Sequence, residues 1–159
     1  MKIDGDKRYN DESNIYCTWN EIEGLIRDLG RQMQKINKKY DCVLGITNGG
    51  IVPARLLARE LDIELIQLIP LRNKVLIKSE MPYLCPNKQY LIVDDIYDTG
   101  ETYEKVLEAT KGFNCDFAFC MSRRDQSHGL TSKILNHNSW IVFPWENKVQ
   151  NYKKGSTDQ

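Results

Sequence analysis

The residues of this chain best placed to do chemistry lie in Tyr90–Thr102, which reads YLIVDDIYDTGET. The apolar run Tyr90-Leu91-Ile92-Val93 suits a strand buried on both faces. Asp94 and Asp95 end that run, Asp98 follows at the tip of a turn, and Thr99, Gly100 and Thr102 lead into a helical pattern from near Tyr103. The order is strand, acidic loop, helix N-terminus, and in open α/β sheets ligands bind at that edge. The turn Thr99-Gly100-Glu101-Thr102 can aim backbone N–H groups and two hydroxyls at a phosphate, at the positive end of a helix dipole. The acid pair can accept hydrogen bonds from neighbouring sugar hydroxyls. A pentose phosphate satisfies both halves at once. Taken singly, such residues mark only an exposed turn. Three carboxylates plus T-G-x-T in nine positions, directly after a buried run, ask for more than that.

A second stretch has the same layout. Asp41–Thr47 (DCVLGIT) is a candidate buried strand, Asn48-Gly49-Gly50 turns, and Ile51–Leu61 is a predicted helix with Pro53 in its first turn. A turn of this composition lets backbone approach a ligand closely, because glycine has no side chain in the way. A Gly-Gly after a strand is by itself a weak signal.

The remaining elements must position these two edges. Thr18-x-x-Glu21 forms a capping box, and apolar residues recur at Ile22, Leu25, Ile26, Leu29, Met33 and Ile36, which predicts a helix from near Trp19 to near Lys38. Ile63–Ile69 is a third strand candidate. Pro70–Lys88 is polar, carries Pro82 and Pro86, and has only Val75-Leu76-Ile77 as a short strand candidate; a stretch of this length suits a lid, with a solvated hairpin as the bland alternative. Tyr103–Lys111 is a helix stopped by Gly112, and Asp116–Met121 is a strand that leads to Ser122-Arg123-Arg124. Leu130–Leu135 is predicted as a short helix and Trp140–Phe143 as the last strand. Parallel strands with crossover helices imply an α/β fold with a doubly wound parallel sheet.

Composition narrows the class. The 159 residues suit a single domain over 1–159, with 1–14 and 147–159 loosely ordered. There are 22 basic and 22 acidic side chains, so no overall field favours nucleic acid or a membrane surface. No apolar run reaches spanning length and no signal peptide is evident. The five cysteines form no C-x-x-C pair, and His128 and His137 stand outside zinc-site spacing from them, which predicts reduced thiols in a cytoplasmic protein.

Leu91–Thr102 resembles the PRPP-binding signature of type I phosphoribosyltransferases, apolar residues followed by D-D-x-x-D-T-G-x-T. Asn48-Gly49-Gly50 is similar to that family's pyrophosphate loop, with Asn48 standing where a positively charged residue is often found. Trp140–Glu146 (WIVFPWE) resembles the W-I-x-x-P-W-D stretch that ends bacterial xanthine-guanine phosphoribosyltransferases. The resemblance runs from about Asp41 to Glu146.

It implies Mg²⁺-dependent transfer of a 5-phosphoribosyl group from PRPP to a purine-type base. Asp94 and Asp95 would bind the ribose hydroxyls, Thr99, Gly100, Glu101 and Thr102 the 5′-phosphate, and Asn48 and Gly49 the pyrophosphate. Asp98 would be the general base. Trp140 would stack on the base, the Ile141 backbone would read its edge, and Glu146 and Asp94 would hold magnesium. The family's purine-reading Lys has no counterpart in Cys120-Met121-Ser122-Arg123, which leaves Arg123 as the candidate donor to the base. The expected partners are PRPP and a nucleobase, in a dimer or tetramer of identical chains, and the loop Pro70–Lys88 would be a flexible lid. A phosphoribosyltransferase for a non-purine base, or a non-catalytic PRPP sensor, stays open at this point.

Overall fold

A computed structural model describes residues 13–125 and 128–146. The expectations for residues 1–12 and 147–159 lie outside the described residues. The chain runs β1 (Ile15–Tyr16), α1 (Trp19–Ile36), β2 (Cys42–Ile46), α2 (Ile51–Glu60), β3 (Ile66–Ile69), β4 (Leu71–Arg72), β5 (Val75–Leu76), β6 (Gln89–Tyr97), α3 (Glu101–Ala109), β7 (Asn114–Ser122), β8 (Leu130–Ile134) and β9 (Ile141–Val142). Five parallel strands form the central sheet in the order β3-β2-β6-β7-β8. From β2 the chain winds outward to β3; from β6 it winds the other way, through β7 to β8. The reversal lies between β2 and β6, and a doubly wound sheet opens a crevice at such a point, beyond the C-terminal ends of its strands.

Apolar periodicity explains the layering. α1 starts at Thr18, whose Oγ1 accepts the Glu21 N–H at 3.2 Å, and it buries Ile22, Ile26, Leu29 and Met33. α1 and α2 cover one face of the sheet over Val43, Leu91 and Val93. α3 covers the other, where Tyr103 and Val106 pack with Leu44, Ile92, Phe117 and Phe119. With both faces covered, β2 has no polar face and every one of its residues is buried.

The structure revises three expectations and adds detail to a fourth stretch. β6 runs on through Asp94 and Asp95 to Tyr97, so the acid pair lies within the strand, because β7 pairs with it as far as Tyr97↔Ser122. Leu130–Ile134 is a strand, not a helix. It pairs with β7 (Ala118↔Leu130, Ser122↔Ile134), the Thr131 carbonyl accepts Gln32 Nε2 from α1 at 3.1 Å, and Ser132 Oγ reaches Asp28 Oδ2 at 2.8 Å. Those long-range partners override a local pattern that reads equally well as one helical turn. β9 belongs to a separate two-stranded parallel ribbon with β1, in the register Ile15↔Ile141, and not to the main sheet. Pro70–Lys88 contains a β4–β5 hairpin whose tip, Asn73-Lys74, has φ of 49° and 62°, as tight hairpins require.

The turn from β2 into α2 depends on Gly50. A Cβ there would press on the Val93 carbonyl oxygen and lie 2.7 Å from the Ile46 carbonyl oxygen. Gly50→Ala is therefore expected to cost about 1–3 kcal/mol, read as a lower urea midpoint. Gly24→Ala, where a Cβ meets nothing within 4 Å, serves as the control and should not destabilise.

Candidate active site

β6 delivers Asp94 and Asp95 to the switch point with each residue only 8% exposed. Asp94 Oδ1 accepts the Asp95 N–H at 2.9 Å, and Asp95 Oδ1 accepts the Ile96 N–H at 2.7 Å, so backbone amides aim both carboxyls. Burial pushes the Asp94 carboxyl well above the usual carboxylate range, and the neighbouring Asp95 charge pushes it further. Burial raises Asp95 too. A pair of this kind favours a ligand that donates hydrogen bonds or brings positive charge.

The β2 edge comes close to the same pair. A Cβ on Gly49 would run into the Asp95 carboxylate, so the side-chain-free backbone there sets the fit between the two loops. The Thr47–Asn48 peptide is cis. Thr47 Oγ1 accepts the Leu71 N–H at 2.9 Å, which fastens this edge to the β4–β5 hairpin.

After β6 the chain turns through Asp98 and Thr99 to Gly100, which takes φ 91° at the start of α3. A Cβ on Gly100 would lie 2.5 Å from the Tyr97 hydroxyl oxygen. Thr99 Oγ1 accepts the Glu101 N–H at 3.3 Å. Glu101 pairs with Lys105 at 3.1 Å, and Lys105 Nζ also donates to the Lys74 carbonyl, holding the hairpin tip beside the first turn of α3. The turn thus presents N–H groups and the hydroxyls of Thr99 and Thr102 at a helix N-terminus, a geometry that suits an anion.

Asp94, Asp95, Asp98, Thr99, Gly100, Glu101, Thr102 and Trp140 line one cleft of ≈ 300 Å³. Asn48 and Gly49 adjoin it through the Gly49–Asp95 approach. Trp140 is held from behind: its carbonyl accepts the Ile15 N–H at 2.8 Å, and the Val142 carbonyl accepts the Cys17 N–H at 2.8 Å. In a parallel pair of this register, the N–H and C=O of Ile141 point to the other edge of the ribbon. Glu146 follows the turn after Phe143, and its N–H donates to the Phe143 carbonyl at 3.0 Å. Desolvation of its carboxyl and then the Asp95 charge push it up to about 7. Arg123 turns its guanidinium to protein partners: Asp98 Oδ1 at 3.1 Å and the carbonyls of His137 and Ser139 at 3.0 and 2.8 Å. Among the described residues, no group of three or more His, Cys, Asp or Glu side chains is gathered as a metal cage.

Sequence reasoning missed Lys74, Tyr97, Tyr103 and Phe119, which also line the cleft. Lys74 sits at the tip of the β4–β5 hairpin, and no local signal says that this tip lies beside α3. A larger hollow of ≈ 580 Å³, lined by residues 33–34, 37–40 and 60–63, gathers no such set of acids, hydroxyls and backbone amides.

The fold and this edge define a class: a doubly wound α/β protein that gathers acids, hydroxyls and a helix N-terminus in one cleft at its switch point. Residues 13–151 match the phosphoribosyl transferase domain, and the chain belongs to that family. It is similar to the xanthine-guanine phosphoribosyltransferase of Nitratidesulfovibrio vulgaris strain DP4, 31% identical over 147 residues that cover 84% of this chain and 85% of that protein. The corresponding protein of Cereibacter sphaeroides is 28% identical over 158 residues, covering 91% and 93%. Among solved structures, a purine phosphoribosyltransferase from Pyrococcus horikoshii Ot3 superimposes with a TM-score of 0.68 at 26% identity, covering 86% of this chain and 95% of that one. The xanthine-guanine-hypoxanthine phosphoribosyltransferase of Helicobacter pylori shares the fold, with a TM-score of 0.71 at 18% identity and coverage of 84% and 93%.

The buried acid pair has a consequence for stability. Because burial raises the folded-state pKa of Asp94, its contribution to stability is complete below the unfolded value of about 3.9 and is lost as pH rises through the folded value. Asp94→Asn should therefore melt higher than the wild type at pH 7 without ligand, and its melting temperature should change less between pH 7 and pH 4. The same variant should bind PRPP more weakly. Calorimetric melts across pH, with PRPP titrations, check both; a lower melting temperature at pH 7 would contradict the reading.

Proposed function

We propose that this chain transfers the 5-phosphoribosyl group of PRPP to a ring nitrogen of a purine-type base, giving a nucleoside monophosphate and pyrophosphate in purine salvage. The observation that carries this reading is the single cleft in which Asp94-Asp95, the Thr99–Thr102 turn and Trp140 meet. Substrate class follows the xanthine-guanine and purine phosphoribosyltransferases to which the chain is similar.

The residues divide the work. Asp94 and Asp95 accept hydrogen bonds from the ribose hydroxyls. Thr99, Gly100, Glu101 and Thr102 hold the 5′-phosphate through backbone amides and hydroxyls at the start of α3. Asn48 and Gly49 meet the pyrophosphate. Trp140 stacks on the base, and the outward N–H and C=O of Ile141 suit the ring edge. The bond from C1′ to the pyrophosphate oxygen breaks, the C1′–N bond forms, and the reacting carbon passes through an oxocarbenium-like state. The proton on the attacking nitrogen goes to Asp98, whose side chain is 49% exposed towards the solvent side of the turn.

The acids at this edge are all oxygen donors, which fits Mg²⁺, a cation that keeps waters and needs few protein ligands. Asp94 and Glu146 would hold it. Bound there, magnesium supplies positive charge beside the leaving pyrophosphate. Glu146, pushed up to about 7, makes that retention weaker as pH falls below neutral.

We further propose a single cytoplasmic domain that works as a dimer or tetramer; Leu65 (44% exposed) and Leu68 (42%), at the edge strand β3, offer apolar surface for such contacts. No helix among the described residues is long and apolar enough to cross a membrane. Pro70–Lys88 is proposed as a lid, because its hairpin tip rests on α3 through the Lys105 contact to the Lys74 carbonyl. Hydrogen exchange there should slow when PRPP-Mg²⁺ and a base analogue bind together, and equal protection with and without ligands would leave it a fixed hairpin.

Turnover tests the assignment of Asp98. Asp98→Asn keeps the shape and removes the basic group, so kcat should fall about 10²–10⁴-fold with KM for PRPP little changed. Full retained turnover would remove Asp98 from the mechanism. Tight PRPP binding by the wild type with no turnover of any purine would overturn the enzyme reading.

A further inference from the structure

Arg123 stands one residue past the end of β7, and its N–H donates to the Tyr97 carbonyl at 2.9 Å. Its side chain is only 12% exposed. Each guanidinium nitrogen has its own partner. Nε meets Asp98 Oδ1 at 3.1 Å, Nη1 donates to the His137 carbonyl at 3.0 Å, and Nη2 donates to the Ser139 carbonyl at 2.8 Å. Ser139 directly precedes Trp140, and its N–H donates to His137 Nδ1 at 3.2 Å, so the segment that receives the guanidinium is itself braced. The root of Arg123 is braced as well, since Ser122 Oγ accepts the Arg124 N–H at 3.1 Å and donates to the Arg124 carbonyl at 2.7 Å. One largely covered cation therefore joins the acid turn after β6 to the segment that presents Trp140, and both reach the same cleft.

We propose that Arg123 is a positioning residue that fixes the distance between the Asp98 carboxylate and the Trp140 ring. The identity of the ligand between them rests on the function proposed above; the strut itself does not. Arg123 touches Asp98 through Oδ1, and the carboxylate remains half exposed, so the strut orients the acid without enclosing it. The three contacts leave from three separate nitrogens of one planar group, a spread that the single nitrogen of an ammonium does not reproduce, so Lys cannot replace it. With the strut in place, a flat base seated on Trp140 meets Asp98 at a set separation. Without it, the ring and the acid move independently, and small misplacements of reacting groups are costly.

The test has two arms. In the otherwise native chain, Arg123→Lys and Arg123→Met are expected to lower kcat/KM for guanine on the order of 10²-fold while KM for PRPP stays unchanged. In a Trp19→Phe/Trp145→Phe background, which leaves Trp140 as the remaining one of three tryptophans, both Arg123 variants are expected to raise acrylamide quenching of Trp140 without any ligand. Unchanged guanine kinetics with unchanged quenching would overturn the proposal. A matched loss for PRPP and guanine with a lowered melting temperature would also overturn it, by making Arg123 a general stabiliser. If the wild type turned over no purine, the function proposed above would fail, and the quenching arm would still decide the role of Arg123.

Discussion

The structure is arranged around two carboxylates held out of water at the end of the central strand. Asp94 and Asp95 cannot sit there cheaply, because burial disfavours their charged forms and the Asp95 charge pushes Asp94 up further. The surroundings reduce that cost in identifiable ways. Backbone amides of Asp95 and Ile96 donate to them. Gly49 comes close to Asp95 with no side chain to force it away. α3 begins directly beyond, with its first-turn N–H groups at the same edge. The placement of β6 between β2 and β7 pairs both of its edges, while α1 and α2 on one side and α3 on the other cover its faces.

Much of this was legible because it is local. The sequence from Tyr90 to Thr102 encodes a buried strand, acids and a helix start within one continuous stretch, and the fold keeps that order while extending the strand through Asp94 and Asp95 to Tyr97. α1, α2 and the strands β2, β3 and β7 were readable from periodicity for the same reason. What was not legible depends on partners distant in the chain. β8 is a strand because β7 and the α1 residues Asp28 and Gln32 receive it. β9 leaves the main sheet because β1, too short to announce itself, captures it. Arg123 looked like a free donor at the end of a strand, and only the structure brings His137, Ser139 and Asp98 around its guanidinium.

The site is thus assembled from pieces of unequal origin. The half that carries Asp94, Asp95 and the Thr99–Thr102 turn comes from one strand-turn-helix unit, with internal hydrogen bonds that fix it locally. The wall bearing Trp140 has no such unit. It is a short ribbon suspended from Ile15 and Cys17 on one side and from Arg123 on the other. Packing of Phe143 against Trp145 (ring centroids 4.9 Å apart) and of Trp19 against Trp145 (6.0 Å) anchors its far end. The turn into α3, by contrast, rests on Gly100, whose φ of 91° admits few substitutes.

Charge balance completes the picture. The cleft collects Asp94, Asp95, Asp98 and Glu101 against one lining cation, Lys74, at the hairpin tip. Arg123 is committed to Asp98, and Lys105 to Glu101 and the Lys74 carbonyl. An edge so rich in acid repels a bare polyphosphate and accepts one that arrives with its own cations, or with hydroxyls that donate into the acid pair. On the function proposed above, the ligand satisfies Asp94 and Asp95 with donated hydrogen bonds or positive charge and offers an anion to the start of α3. A phosphorylated sugar carried with a divalent cation meets both conditions, whereas a neutral sugar meets only the first and a free phosphate only the second.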